Sequence, residues 1–329
     1  QDWGLSFLTG ILRRSRGQTY GPMVHWGKLA AYIPKRYMPR KGEDAVAELK
    51  GKKLFLLDMD GTIYLDNDLF PGTIPFLDWV RETGGTYLFL TNNSSRGVDA
   101  GLEKMHRLGV PAEREEFLTA VEATVYYLKT SRSPSDVYYA VGTASFCRQL
   151  RAAGFDIREM PDADVTAVLV GFDTELTYQK VENACRLLAR GADFLATNPD
   201  WACPTLFGFV PDCGAICEFI ARGAGRRPQF IGKPDPTMIR LALEQTGCKP
   251  EETLMVGDRL YTDIACGVNA GVDTVLVLTG EATAQDAAKS DTPPTLVCRD
   301  LGELLARLRE AGNEVAQEAK TREHREGSD

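Results

Sequence analysis

The apolar residues Leu54 to Leu57 run without a break into Asp58-Met59-Asp60-Gly61-Thr62. A short run of this kind, with no polar alternation, is the pattern of a strand buried on both faces, as in a parallel sheet packed between helices. Folding gives no reason for such a strand to end in two carboxylates, because a desolvated carboxylate is costly unless it is hydrogen-bonded or holds a cation. The ending therefore marks a candidate site for a metal or a reaction. Taken alone, the same residues also fit an Asx-type turn leaving a strand. A calcium-binding EF-hand loop fails, since it wants Gly at its sixth position and Glu at its twelfth. Counted from Asp58, Gly61 falls fourth and Leu69 twelfth.

The 329 residues suffice for one large or two ordinary domains. The net charge of -8 argues against a nucleic-acid grip over the whole surface. No apolar run approaches the roughly 20 residues a membrane helix requires, so neither nucleic acid nor membrane is an expected partner. Eight cysteines are dispersed, and the close pair Cys213 and Cys217 lacks a second pair to complete a zinc site. A reduced, cytoplasmic protein is the simpler expectation. His25, His106 and His324 are the only histidines. None sits in a motif-like setting, which disfavours mechanisms built on a histidine base or a histidine-bound metal.

Residues 1–46 differ from the rest in being aromatic and basic, with eight Lys or Arg against three acids, a net +5. The apolar patch from Leu5 to Leu12 is broken by Gly10 and has no small-residue cleavage site, unlike a secretory signal. Met38 lies shortly before the first strand. Residues 1–46 are expected to be an N-terminal extension, of which the first 37 are either without catalytic consequence or the product of a mis-assigned start upstream of Met38. A peripheral basic anchor stays open as the alternative.

From Lys53 onward strands and helices alternate. Helical spacing over Ile74 to Glu82 stops at Gly84-Gly85, and a second buried strand, Thr86 to Leu90, ends in Thr91-Asn92-Asn93. A strand, helix and strand of this length form a right-handed crossover, so both polar endings share one carboxyl edge, where open α/β sheets bind ligands. Residues Gly101 to Lys129 read as helical with a break at Gly109-Val110-Pro111. Ser131 to Ser135 is a turn-rich seam. A second alternating set follows: strand Val137–Val141, helix Ser145–Ala153, strand Val165–Val170, helix Tyr178–Ala189 and strand Phe194–Ala196. It ends at the polar turn Asn198-Pro199-Asp200.

The first pattern then resumes with a helix over Gly214–Arg222 and a short strand, Gln229–Ile231, entering Gly232-Lys233-Pro234. A helix over Met238–Gln245 precedes strand Thr253–Val256, which ends in Gly257-Asp258-Arg259-Leu260-Tyr261-Thr262-Asp263. Strands Val272–Leu278 and Thr295–Cys298 and a helix over Leu301–Arg309 complete the set. The expected class is α/β, a doubly wound parallel sheet with a smaller α/β domain inserted. The expected division is a core over 47–132 and 211–311, an inserted domain over 133–210, and a disordered charged tail over 312–329.

Four strand endings now fall on one edge: Asp58 and Asp60, Thr91 and Asn92, Lys233, and Asp258 with Asp263. Three acids around a small space repel one another at neutral pH, which a divalent cation relieves. All-oxygen ligation favours magnesium. A hydroxyl, backbone amides after a strand and one ammonium make an anion cradle suited to phosphate. A Walker A reading of Gly232-Lys233 fails at Pro234, and no GxGxxG follows any strand.

Asp58-Met59-Asp60-Gly61-Thr62, Thr91-Asn92-Asn93, Gly232-Lys233-Pro234 and Gly257-Asp258-Arg259-Leu260-Tyr261-Thr262-Asp263 resemble motifs I to IV of the haloacid dehalogenase (HAD) superfamily. More narrowly, the chain from about Lys53 to Leu308 resembles its NagD-like, para-nitrophenylphosphatase branch (subclass IIA). Val170-Gly171-Phe172-Asp173 and Ala196-Thr197-Asn198-Pro199-Asp200 are similar to that branch's cap. Spacing agrees: Thr91 follows Asp60 by only 31 positions, whereas Lys233 follows Thr91 by 142, room for an inserted domain after the second motif.

The resemblance implies a HAD-like Rossmannoid core with a cap, and a Mg2+-dependent phosphomonoesterase. Its substrate would be a small phosphorylated metabolite of the nucleotide, phosphoglycolate, sugar phosphate or pyridoxal phosphate class. Asp58 would be the nucleophile that forms an aspartyl-phosphate, and Asp60 the general acid and then base. Metal ligands would be Asp58, the Asp60 carbonyl and Asp258, with Asp263 orienting the metal's waters. Thr91 and the Asn92 and Asn93 amides would hold phosphoryl oxygens, and Lys233 would neutralise developing charge. Asn198 and Asp200 are the candidates for touching the leaving group, against the reading of an ordinary polar turn. Family members that store the aspartyl-phosphate have Thr where Asp60 stands. A catalytically silent binding protein and a phosphotransferase remain alternatives. A homodimer through the cap is a family analogy.

Overall fold

The computed structural model describes residues 49, 51–205 and 207–311. The N-terminal extension, the alternative start at Met38 and the charged tail lie outside the described residues. Strand β1 (Leu54–Asp58) leads into a hairpin of β2 (Tyr64–Leu65) and β3 (Asp68–Leu69), then α1 (Thr73–Glu82), β4 (Thr86–Thr91), α2 (Val98–Arg107), β5 (Phe117–Thr119) and α3 (Ala120–Ser131). The second set is β6 (Val137–Val141), α4 (Ala144–Ala152), β7 (Asp156–Arg158), β8 (Ala167–Val170), α5 (Tyr178–Ala189), β9 (Asp193–Ala196), the hairpin β10 (Ala202–Thr205) with β11 (Gly208–Pro211), α6 (Cys213–Ala224) and β12 (Gln229–Phe230). The chain closes with α7 (Thr237–Thr246), β13 (Thr253–Gly257), α8 (Ala265–Ala270), β14 (Asp273–Val277), α9 (Ala284–Lys289), β15 (Leu296–Cys298) and a helix, α10, over 301–311.

The larger sheet is six-stranded in the order β15-β14-β13-β1-β4-β5, with every pairing parallel. Alternation along β1 explains its unbroken apolar run. Phe55 and Leu57 pack on one face with Phe76, Leu77 and Leu304, while Leu54 and Leu56 pack on the other with Met238, Ile239 and Cys266. Truncating Leu56 to Ala would cost about 2–5 kcal/mol, since no face of this strand meets water. The chain runs outward from β1 through β4 to β5, then returns to β13 beside β1 and runs outward the other way. The order reverses between β1 and β13, which places a crevice at their carboxyl ends.

The second sheet, β12-β9-β8-β6-β7, is five-stranded and again wholly parallel. Helices α5 and α6 cover one face through Val181, Leu187, Ile216 and Ile220, and α4 covers the other through Phe146 and Leu150. Helix α3 bridges the two sheets: Ala123 packs into the core cluster of Leu56 and Met238, whereas Val121 and Leu128 pack against Tyr138 and Leu169.

Three local expectations differ from the structure. The stretch Gly101 to Lys129 is not helix with a single break, because β5 separates α2 from α3. Thr119 ends that strand and caps the helix: its Oγ1 accepts from Glu122 N at 3.3 Å, and Glu122 Oε2 accepts from Thr119 N at 2.8 Å. The core does not resume at residue 211. Helix α6 packs on the second sheet, and β12 pairs with β9 through Gln229↔Leu195 and Phe230↔Ala196. The apolar stripe of Cys213, Ile216, Cys217 and Ile220 specifies a buried helix face but not which sheet buries it. Finally, the inserted set does not end at the polar turn Asn198-Pro199-Asp200 but continues into the antiparallel hairpin β10–β11. No helix of the described residues is long and apolar enough to cross a membrane.

Candidate active site

Asp58 ends β1, Thr91 ends β4, and Asp258 follows β13, so three neighbouring strands deliver their polar endings to one crevice. Beyond Asp58 the backbone doubles back, with Ile63 N donating to Met59 O at 2.9 Å and Gly61 N to Tyr64 O at 2.8 Å. Gly61 adopts φ +92°, and a Cβ there would lie 2.6 Å from Asp258 Oδ2. Only glycine satisfies both the backbone and the close approach. After Asp258 the chain makes a wide turn over Leu260–Ile264, closed by Ile264 N donating to Arg259 O at 3.2 Å. That turn carries Asp263 back under the acids.

Lys233 is 2% exposed despite its charge. Its Nζ donates to Asp58 Oδ1 at 2.5 Å and to Leu90 O at 3.3 Å, and pairs with Asp263 Oδ1 at 2.7 Å. Carboxylate oxygens of Asp58, Asp258 and Asp263 lie within 4.8 Å of one another. Asp258 Oδ2 accepts from Glu281 N at 2.7 Å, while its Oδ1 is buried without a hydrogen bond.

Asn92 fastens the Lys233 loop to β4: its Oδ1 accepts from Lys233 N and its Nδ2 donates to Lys233 O, both at 3.0 Å. The Asn93 amide donates to Thr91 Oγ1 at 3.1 Å, so that amide is engaged within the loop. Asp58, Asp60, Thr91, Asn92, Asn93 and Lys233 line a common cleft, joined from the other side by Asp200, Cys203, Asp212 and Arg259.

The two leaving-group candidates are placed differently from expectation. Asn198 is fully buried and does not line the cleft. Its Nδ2 donates to Asp200 Oδ2 at 2.7 Å and to Asp212 Oδ1 at 3.2 Å, and its Oδ1 accepts from Thr197 Oγ1 at 2.7 Å. Asp200 lines the cleft, but Oδ2 also accepts from Asn92 at 2.7 Å and Oδ1 from Arg259 at 3.1 Å. Both residues brace the turn against the core rather than standing free for a ligand, because a buried polar group must satisfy its own hydrogen bonds first.

Residues 55–156 match the family described as haloacid dehalogenase-like hydrolase, and residues 230–304 match a second, HAD-hydrolase-like family. An acid sugar phosphatase of Staphylococcus aureus is 37% identical over 260 residues, 79% of this chain and 99% of that protein. The crystal structure of a 4-nitrophenylphosphatase from Thermotoga maritima superposes with TM-score 0.73 at 38% identity, covering 80% of this chain and 99% of that one. The chain belongs to the haloacid dehalogenase superfamily. Within it the chain is a NagD-like phosphatase of subclass IIA. A glycerol phosphate phosphatase from Mycobacterium tuberculosis, solved in complex with magnesium, is similar at 28% identity and TM-score 0.73, covering 78% of this chain and 77% of that one.

In this HAD phosphatase the acids carry the strain of convergence. Burial pushes the Asp58 carboxyl up, and the Asp263 charge adds to it against the pull of Lys233. Asp258 is pushed up to about 6 by burial and then by Asp263. Burial would pull the Lys233 ammonium down, but the Asp263 and Asp58 carboxylates outweigh it and hold the group well above its ordinary range. The orphaned Asp258 Oδ1 and an all-oxygen donor set fit a hard divalent cation, which relieves the same repulsion.

Sequence reasoning missed the HAD site's outer contacts. Arg259 joins Asp200 to Glu281, pairing with the latter at 3.0 Å. Asp212 caps α6 by accepting from Cys213 N, and burial followed by the Asp200 charge pushes it up to about 7. Tyr64 and Lys104 flank Asp60. Arg259 sits inside the quoted fourth motif and could have been singled out there; Asp212 carries an N-cap signal, but nothing local ties Lys104 to the cleft.

Proposed function

We propose that the chain is a magnesium-dependent phosphomonoesterase that works through an aspartyl-phosphate on Asp58. The observation that carries this reading is the buried Lys233 ammonium held between the Asp58 and Asp263 carboxylates, with Asp258 completing the acid cluster. A strand-end carboxylate paired with an ammonium is a nucleophile whose charge is balanced as a phosphoryl dianion approaches.

In the proposed sequence an Asp58 carboxylate oxygen attacks phosphorus and the phosphoester oxygen departs, taking a proton from Asp60. Water then attacks the acyl phosphate, giving its proton to Asp60, and inorganic phosphate leaves as the Asp58 carboxylate is restored. The Thr91 hydroxyl and the amide after it hold phosphoryl oxygens, and Lys233 stabilises the charge that builds on them. Asp58, the Asp60 carbonyl and Asp258 would hold the magnesium, with Asp263 turned toward its surroundings; the cation supplies electrostatic shielding between nucleophile and phosphate.

The cleft lining favours a sugar or polyol phosphate among the small metabolites. Its cations are Lys233 and Arg259, and Arg259 is already paired with Asp200 and Glu281. A second anionic group on the substrate would thus meet Asp200 and Asp212 without a free counter-charge, whereas an uncharged hydroxyl meets no such repulsion and could donate to Asp212. The names of the acid sugar phosphatase and glycerol phosphate phosphatase relatives agree with this choice. A cytoplasmic location and dimerisation through the cap are kept as parts of the proposal, the latter carried by family analogy alone.

The test is phosphate release from a panel containing para-nitrophenyl phosphate, hexose phosphates, glycerol phosphate and phosphoglycolate, with and without magnesium. Magnesium-dependent release, highest on the polyol esters, is expected. Binding of these esters without release would favour the silent binding protein.

A further inference from the structure

Asp60 stands apart from the rest of the site. Asp58, Asp258 and Asp263 form one cluster, whereas Asp60 lies outside it, its side chain 46% exposed where it lines the cleft. Two contacts from the described residues reach its carboxylate. Lys104 Nζ lies 3.5 Å from Oδ1, and the Tyr64 hydroxyl lies 3.5 Å from Oδ2. The same ammonium sits 3.7 Å from the centroid of the Tyr64 ring.

These three groups come from separate places that the fold forces together. Tyr64 is returned over Asp60 by the tight loop after β1, where Gly61 N donates to Tyr64 O and residues 60 and 64 bridge. Its ring is 2% exposed, packed in the cluster of Phe76 and Met105. Lys104 arrives from α2, one position before Met105, whose side chain is buried in that cluster. The ammonium therefore lies between a fixed aromatic face and a carboxylate, both of which attract it.

We infer that Lys104, seated on the Tyr64 ring, is a positioning residue that aims the Asp60 carboxyl at the leaving oxygen. The inference rests on the proposed role of Asp60 as general acid. It gives α2, which no part of the mechanism otherwise uses, a task in the reaction. A half-exposed carboxyl on a loop samples several rotamers in water. Restricting it from one side leaves it aimed into the cleft at the place where a proton is needed. Lys104 touches neither substrate nor nucleophile in this arrangement, so its effect must scale with how much the leaving group needs the proton.

That scaling supplies the test. Nitrophenolate leaves readily as an anion, whereas the alkoxide of glycerol phosphate requires protonation. Comparing kcat/KM, which covers the steps up to phosphoryl transfer, isolates the acid role from the later hydrolysis of the acyl phosphate. Lys104→Met should lower kcat/KM on glycerol phosphate by about tenfold or more, within the range positioned acids supply, and lower it much less on para-nitrophenyl phosphate. Lys104→Arg, which keeps a cation over the ring, should recover most of the loss. Equal losses on both esters would mean that Lys104 only supports the fold, and no loss on glycerol phosphate would mean that Asp60 needs no such guide; either overturns the inference. Asp60→Asn is run alongside. If it fails to penalise the alkyl ester more than the aryl ester, the general-acid reading itself is wrong, whatever Lys104 does.

Discussion

Lys233 and Asp58 lie 175 positions apart in the chain and meet at 2.5 Å between Nζ and Oδ1. The ammonium has no water to fall back on, because it is enclosed by Asp263 and the Leu90 carbonyl as well. Removing it should be felt in catalysis beyond any loss of fold. Lys233→Met is expected to lower kcat on para-nitrophenyl phosphate about 100- to 1000-fold, the range seen when one preorganised electrostatic donor is lost. It should also destabilise the chain by about 3 kcal/mol or more, since two carboxylates remain buried without their partner. Urea unfolding beside steady-state assays separates the two effects.

Asp258 is the acid whose Oδ1 has no hydrogen-bond partner. Asp258→Asn removes one charge from a repelling cluster, so in chelator the variant should melt at or above the temperature of the parent protein. Addition of magnesium should raise the parent's melting temperature and leave the variant's nearly unmoved. Saturation to 100 times Kd is worth about 2.7 kcal/mol by mass action, a shift that differential scanning fluorimetry resolves.

Asp212 is an acid raised in the folded state to about 7 by burial and the Asp200 charge. The folded protein binds its proton more tightly than the unfolded chain does. Its contribution is therefore complete below the unfolded value near 4 and is lost as pH rises through about 7. Asn serves equally well as an N-cap. The stability of Asp212→Asn relative to the parent should thus grow between pH 4 and 7 and level off above, as read by urea midpoints across that range.

Asp200 receives Asn92 and Arg259 from the core and Asn198 from its own turn. Asp200→Ala takes one acceptor from each of those donors, Asn92 keeping the Lys233 carbonyl, Asn198 keeping Asp212 and Arg259 keeping Glu281, at a cost of about 1–3 kcal/mol for the hydrogen bonds left unmade. Because Asn92 also holds the Lys233 loop, kcat/KM should fall as well. Urea unfolding together with para-nitrophenyl phosphate assays checks both.

The endings at Asp58, Thr91 and Asp258 were legible because each follows an apolar run that fits a buried strand, whereas Lys233 follows only the short, partly exposed β12 of the second sheet. The long gap between Thr91 and Lys233 exposed the inserted set of strands. What the string hides is of two kinds. Short elements such as β5 and the β10–β11 hairpin, three and four residues per strand, carry too little periodicity to separate from helix or turn. Pairings such as Arg259 with Asp200, or Lys104 with Asp60, depend on which faces the tertiary fold turns toward each other. Asn198 shows the limit most clearly: a polar turn looks the same in sequence whether it faces a ligand or braces the loop beneath.

The most direct measurement is chemical capture at Asp58. Acid quenching during steady turnover of para-nitrophenyl phosphate, borohydride reduction and peptide mass spectrometry convert an aspartyl-phosphate into homoserine at the residue that carried it. The account predicts homoserine at position 58 and at no other acid of the cleft. Continued turnover with the mark at Asp60, Asp258 or Asp263 instead would contradict it.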